Sequence, residues 1–408
     1  MNATPLHTIA TGRLSSLFDV DVALLEEKLQ HAISGKRILV VGGAGSIGSS
    51  TVLQLITRMP KALHVIDQNE NGLAELVRQL RSRPSDWSVK DFQALPLDYG
   101  SAAARHFLYA QQEYDLVLNF AALKHVRSEK DPFSTLQMFE TNLVKQVRLM
   151  TWLAERGFAG RLFTVSTDKA ANPSSMMGAT KRVMEHVLFS SSAARALSGP
   201  KSSARFANVA FSNGSLLQGF QNRLARGEPL AAPIDTRRYF VSLAESGQIC
   251  AIASTVVPDM SIVIPKLNPN EHLILLHDIA ERFLKWHGFS PAIYQDEKAA
   301  CANVENERSR GRWPLLLTPL DTAGEKPYEE FTTAAERRAD LGLPNLETVE
   351  YDLASQAAVD QVVAEVCKLL EDPKTVVSKD LLKEIIAIVE PGFLETHRDS
   401  KTYLDQRL

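Results

Sequence analysis

The stretch VSTDKAANPSSMMGATKR, Val165 to Arg182, carries the residues best suited to chemistry. Thr167, Asp168 and Lys169 place a hydroxyl, a carboxyl and an amine at consecutive positions. Groups of these kinds can serve as general acids and bases. An amine is a base only when neutral. A second cation nearby favours the neutral form of an amine, and an adjacent carboxylate favours the charged one. Met177 and Lys181 stand four apart and share one face of a helical pattern. Methionine carries no proton, so any acid or base must lie elsewhere in the set.

These residues need elements that bring them to the end of a strand. Short apolar runs bounded by turn or polar residues recur at 37–41, 63–67, 92–98, 114–120, 161–167 and 203–209, and helical patterns separate most of them. Strands alternating with helices imply a doubly wound α/β fold with a parallel sheet covered on both faces. Ligands of such sheets bind beyond the carboxyl ends of the strands, where Thr167, Asp168 and Lys169 would emerge. Residues 21–34 and about 352–390 have helical spacing. The expected division is a helical extension over 1–35, a dinucleotide-binding domain over 36–210, a smaller mixed substrate-binding portion over 211–350 interleaved with it, and a helical tail over 351–408.

A second motif says what the first works with. VVGGAGSIGSS follows the first strand and opens a helix, and Gly43, Gly45 and Gly48 form G-x-G-x-x-G, preceded by Gly42. Glycines allow a tight turn and close approach to a pyrophosphate, whose charge then rests at a helix N-terminus formed here by Ser46 and Ile47. Asp67 ends the second strand nineteen residues after Gly48. A carboxylate there accepts hydrogen bonds from ribose hydroxyls and repels a 2′-phosphate, which favours NAD over NADP. Asp98, closing the third strand, is either an adenine contact or a capping residue.

Bulk properties exclude other classes. The chain has 408 residues, a net charge of −3, 45% apolar and 23% charged residues, and three widely spaced cysteines. That charge gives no reason to expect nucleic acid or an anionic membrane as partner. No apolar run approaches the roughly 18 residues that span a bilayer, so membrane insertion is not expected. The cysteines suggest neither a disulfide framework nor a zinc site, and no metal is expected. A cytoplasmic protein is the expectation.

Taken together, GGAGSIGS, FAALKHVRSEKDPF, STDKAANPSSMMGATKR, RFANVAFSNGS, RRYFVSLAESGQ and GEKPYEEF occur in an order that resembles the extended short-chain dehydrogenase/reductases. Within these, the chain looks like the UDP-N-acetylglucosamine 4,6-dehydratases of bacterial polysaccharide and glycan biosynthesis. The resemblance implies a Rossmann-type domain holding a tightly bound NAD that is regenerated each turnover. Hydride leaves C4 of the sugar, water is eliminated across C5 and C6, and the hydride returns to C6. It also implies that Lys169 is the C5 base, Asp168 the acid for the C6 oxygen, Thr167 the neighbour of the C4 hydroxyl and Lys181 a nicotinamide-ribose contact. Ala121 and Ala122 join the cofactor contacts, and Lys124, His125, Asn208 and Arg238 the UDP-sugar contacts. Met177 occupies the place of the superfamily's tyrosine, as it does in some dehydratases of this branch. A homo-oligomer is expected on the same ground. A nucleotide-sugar epimerase or 4-keto reductase, or a non-catalytic nucleotide-sugar sensor, are the alternatives; a GDP-linked substrate and either outcome at C5 stay open.

Overall fold

The computed structural model describes residues 5–83, 89–124, 129, 131–320 and 324–398. The apolar runs become parallel strands: β1 (Arg37–Val41), β2 (Ala62–Asp67), β3 (Asp91–Pro96), β4 (Leu116–Asn119), β5 (Arg161–Val165) and β6 (Lys201–Ala204). Val, Ile and Leu run through β1, β2 and β4 without polar alternation because helices cover both faces of the sheet. The sheet order is β3-β2-β1-β4-β5-β6, so chain direction across the sheet reverses between β1 and β4. That reversal opens the crevice in which such folds bind ligands.

Between β6 and the next strand of this sheet lie β7 (Asn208–Val209), β8 (Leu230–Pro233) and β9 (Arg237–Val241). Then β10 (Ser261–Pro265) joins β6 in parallel. Further on come β11 (Leu273–Leu275), β12 (Ser290–Tyr294) and β13 (Arg312–Thr318), and β14 (Arg338–Asp340) and β15 (Leu346–Glu350) finish the main sheet antiparallel. Nine strands thus form the main sheet among the described residues, three of them from the 211–350 segment, so the two portions interleave. The other strands make two small sheets, β11-β9-β7 and β12-β13-β8.

Two apolar cores sandwich the main sheet. One packs helices Lys145–Glu155 and Met176–Ser190 through Leu149, Leu153, Val183 and Val187, with Val362 and Leu382 from the tail helices Gln356–Glu371 and Lys379–Ala387. The other packs helices Ser46–Ile56 and Leu243–Thr255, with Leu29 and Ile33 of the N-terminal helix Asp19–Ile33. The two terminal extensions therefore cover opposite faces. A third core fills the smaller portion around Phe220, Phe283 and Trp313.

Two elements differ from the sequence expectation. The run 203–209 is not one strand. After Ala204 the chain turns Arg205 inward onto Glu185 and Glu336, and Asn208–Val209 pairs with β9 instead. The helical segment expected between β4 and β5 begins as a wide π turn over Glu140–Val144 before the α-helix Lys145–Glu155. Inside it the Tyr99 hydroxyl donates to the Thr141 carbonyl, and Asn142 both accepts from the Leu123 amide and donates to its carbonyl. That turn thus holds the loop after β4, which borders the cleft.

Candidate active site

A cleft of about 1280 Å³ runs along the carboxyl ends of β1, β2, β4 and β5 and continues under the smaller portion. Its first half is built by the glycine turn. Gly42 has φ +73, and a β-carbon there would lie 2.5 Å from the Ala121 amide nitrogen; one at Gly48 would lie 2.4 Å from the Gly42 carbonyl oxygen. No side chain caps the helix Ser46–Ile56, whose N-cap is Gly45, so its first amides stay available to an anion. Asp67 receives the amides of Ala44 and Asn69 at 3.0 and 2.9 Å, which fixes its carboxylate at the cleft wall. Asp98 is braced by the Gly100 amide at 3.0 Å and by Lys145 at 2.5 Å.

The second half is built at the end of β5. Thr167 is the N-cap of a single turn, Asp168–Ala170, and its hydroxyl donates to Asp168 Oδ1 at 2.7 Å. Lys169 Nζ donates to the same Oδ1 at 3.1 Å and to Asn208 Oδ1 at 3.5 Å. Asp168 lies behind its two neighbours, 3% exposed; Thr167, Lys169 and Asn208 reach the cleft wall and Asp168 does not.

The following helix, Met176–Ser190, is capped twice. Ser175 accepts the Gly178 amide, and the buried Glu129 carboxylate accepts the amides of Met176 and Met177 at 3.1 and 2.9 Å. A carboxylate at a helix N-terminus also meets the positive end of the helix dipole. One turn on, Lys181 Nζ donates to the Val165 carbonyl at 2.6 Å and touches Met184 sulfur at 3.1 Å. Burial pushes its amine down to about 7, assisted by Lys124 and opposed by Glu185.

Sixteen expected positions line this one cleft: Gly42, Gly45, Ser46, Ile47, Gly48, Asp67, Asp98, Ala121, Ala122, Lys124, Thr167, Lys169, Met177, Lys181, Asn208 and Arg238. Gly43 packs beneath it, where an added β-carbon would meet Val65 at 2.3 Å. His125 lies outside the described residues. Arg238 is buried and braces the segment opposite, donating to the carbonyls of Arg237, Lys326 and Pro327 at 2.8, 2.9 and 3.3 Å. Its neighbour Arg237 is exposed.

Sequence reasoning missed Arg223 and Arg226 of the helix Leu216–Arg226, and Glu329; all three line the cleft. Glu329 Oε1 stands 3.7 Å from Arg238 and 3.8 Å from Lys169, and its Oε2 3.9 Å from Lys326. Its motif, GEKPYEEF, was a usable signal, but nothing in the motif tells which of its three glutamates turns inward.

The family described as "Polysaccharide biosynthesis protein" matches residues 38–348. The chain belongs to that family. It is a family of nucleotide-sugar dehydratases and epimerases among the extended short-chain dehydrogenase/reductases. An uncharacterized membrane protein of Methanocaldococcus jannaschii is 32% identical over 272 residues, covering 65% of this chain and 77% of that protein. A UDP-N-acetylglucosamine 4,6-dehydratase (inverting) of Campylobacter jejuni is 26% identical over 254 residues, 60% of this chain and 72% of that one. The probable polysaccharide biosynthesis protein EpsC of Bacillus subtilis is 26% identical over 329 residues, 80% of this chain, which spans 50% of EpsC's length. Among solved structures, Pen from Bacillus thuringiensis superposes with a TM-score of 0.63 at 21% identity, covering 79% of this chain and 90% of that one. A dTDP-glucose 4,6-dehydratase of Streptomyces venezuelae with NAD bound gives 0.52 at 18% identity, covering 82% and 97%. These superpositions carry the fold of the family. No helix among the described residues is long and apolar enough to cross a membrane.

Proposed function

We propose that the protein is an NAD-dependent 4,6-dehydratase of a UDP-linked N-acetylhexosamine, with UDP-N-acetylglucosamine as first choice. The observation that carries this reading is the triad at the end of β5. Thr167, Asp168 and Lys169 are joined through one carboxylate oxygen, at 2.7 and 3.1 Å, where a sugar beside the dinucleotide site would lie. A reductase or an epimerase has no need of an amine base at this point. Similarity to the C. jejuni dehydratase supports the same choice.

The glycine turn, the uncapped helix start and Asp67 fit a dinucleotide lacking a 2′-phosphate. Bound there, NAD would supply the hydride acceptor and donor. The protein's own groups do the rest. Lys169 takes the C5 proton, and Thr167 meets the C4 hydroxyl. Lys181, with its amine lowered to about 7 by burial and tied to Val165, holds the ribose face and can relay the C4 proton. The resemblance gives Asp168 the acid's role at the C6 oxygen; in the folded chain its carboxylate is the anchor of both Thr167 and Lys169. Lys124, Asn208 and Arg238 face the UDP-sugar, and the arginine suits a diphosphate.

The test is incubation with UDP-N-acetylglucosamine in D₂O without added nicotinamide cofactor. A 4-keto-6-deoxy product carrying deuterium at C5 is expected. Conversion that requires stoichiometric NAD(P)H would make the protein a reductase, and an unchanged sugar that still binds would make it a sensor.

A further inference from the structure

The corner that holds Lys169 contains two carboxyls, Asp168 and Glu329, in opposite situations. Asp168 is set back from the cleft, and its Oδ1 already receives the Thr167 hydroxyl and the Lys169 ammonium. Glu329 stands at the cleft wall, 4% exposed as a residue, and no described donor hydrogen-bonds to it. Three cations surround it at 3.7–3.9 Å, all beyond hydrogen-bond range. The segment just before it is nevertheless anchored. Pro327 O accepts the Arg237 amide at 2.7 Å and the Arg238 guanidinium, and the Lys326 ammonium donates to the Asn172 carbonyl.

Eliminating water across two adjacent carbons takes a proton from one and adds a proton to the oxygen on the other. The two groups must therefore sit a few ångströms apart and face the same substrate. Lys169 and Glu329 meet that requirement: both line the cleft, with Nζ and Oε1 3.8 Å apart. Resting on the dehydratase reading above, we propose that Glu329, rather than Asp168, protonates the departing C6 oxygen, while Asp168 is the positioning residue that aims Lys169.

The step balances within the pair. For the step Lys169 must first release its own proton; its free amine then takes the C5 proton beside the C4 ketone, the C5–H electrons form the C5–C6 double bond, and the C6–O bond breaks. Glu329 gives its proton to that oxygen, and water leaves. A neutral amine and a carboxylic acid become an ammonium and a carboxylate, so the net charge of the site is unchanged. An acid in this role must hold its proton near neutral pH. Burial acts in that direction on Glu329 and raises its pKa, as does Asp168, while Lys169, Arg238 and Lys326 oppose it. A diphosphate bound to Arg238 would weaken one of those three oppositions.

Glu329→Gln should separate the two proton transfers. With UDP-N-acetylglucosamine in D₂O, this variant is expected to lose 6-deoxy product formation by about 10²–10⁴-fold, while deuterium still enters C5 of the recovered sugar through Lys169. Melting temperature and NAD binding should match the wild type, and Glu329→Asp should recover part of the loss. Product formation at the wild-type rate in Glu329→Gln, with loss in Asp168→Asn, would return the acid's role to Asp168. Loss of C5 exchange together with product in folded Glu329→Gln would also overturn the proposal, because Glu329 would then be serving Lys169. If the wild type itself gives neither exchange nor product, the dehydratase reading fails, and that outcome is visible before any variant is made.

Discussion

Two charged clusters lie back to back at the end of β5, and consecutive residues join them. Ser166 reaches into one, donating to Glu185 at 2.5 Å; Thr167 reaches into the other, donating to Asp168. The first cluster is closed. Arg205, fully buried, makes paired contacts to Glu185 at 2.8 and 2.7 Å and to Glu336 at 2.7 and 2.8 Å. Arg182 then bridges Glu336 to Glu390, which meets His186 at 2.5 Å. The second cluster is loose: Lys169 stands 3.1 Å from Asp168, and Glu329 has only cations at 3.7–3.9 Å. Residue types are nearly the same, yet the consequences diverge. Arginine forks satisfy both oxygens of a carboxylate and cannot give up a proton, whereas lysine can. The Glu336 carboxyl is accordingly driven down to about 2, chiefly by Arg205 against the cost of burial, while Glu329 is driven up. One cluster pairs both carboxylates with arginine forks; the other leaves Glu329 with no hydrogen bond from a described donor.

Breaking the closed cluster should have the largest effect on stability. Arg205→Met strands two buried carboxylates, at a cost of about 3–5 kcal/mol, read as a lowered melting temperature. Lys169→Met should do the reverse, lowering dehydration and C5 exchange by about 10²–10⁴-fold with a melting temperature near wild type. A Lys169→Met variant that melts as early as Arg205→Met would erase the distinction between the clusters.

Acid sharpens the comparison further. The folded-state pKa of Glu336 lies below its ordinary value, so its contribution is complete above about pH 4.5 and is lost as pH falls towards 2. The amount is at most about 3 kcal/mol. Urea unfolding between pH 5 and 2 should show a steep loss in the wild type and a shallower one in Glu336→Gln. An equal slope in both would place the acid sensitivity elsewhere.

The sequence carried what is local. The glycine turn, the strand it follows, Asp67 nineteen residues on and the Thr-Asp-Lys run each occupy one short window, where period and spacing are set by neighbours along the chain. What it did not carry is pairing at long range. Arg205 departs from the strand pattern because its partners come from Glu185 on one helix and Glu336 far along the chain. Glu329 meets Lys169 across 160 positions, and a motif of three glutamates does not mark which one faces inward. The π turn at 140–144 was hidden for a similar reason: its widening accompanies the Tyr99 and Leu123 contacts, and apolar spacing is blind to both.

Met177 gives the smallest expected effect. It is buried, its amide is held by Glu129, and it lines the cleft four residues before Lys181. Replacing it with tyrosine restores the superfamily's phenol but enlarges a packed position, so a stability loss of about 1–3 kcal/mol is expected. Product formation should fall by no more than about tenfold, roughly 1.4 kcal/mol in a barrier, because on the proposed reading the C5 and C6 proton transfers belong to the loose cluster and Lys181 is kept. Complete loss of product in a folded Met177→Tyr would mean that the shape of methionine, not the neighbouring lysine and carboxyls, sets the sugar's place. Higher activity would mean that the C4 proton lacks a good route in the natural chain, and that Lys181, bound to the Val165 carbonyl, cannot supply one alone.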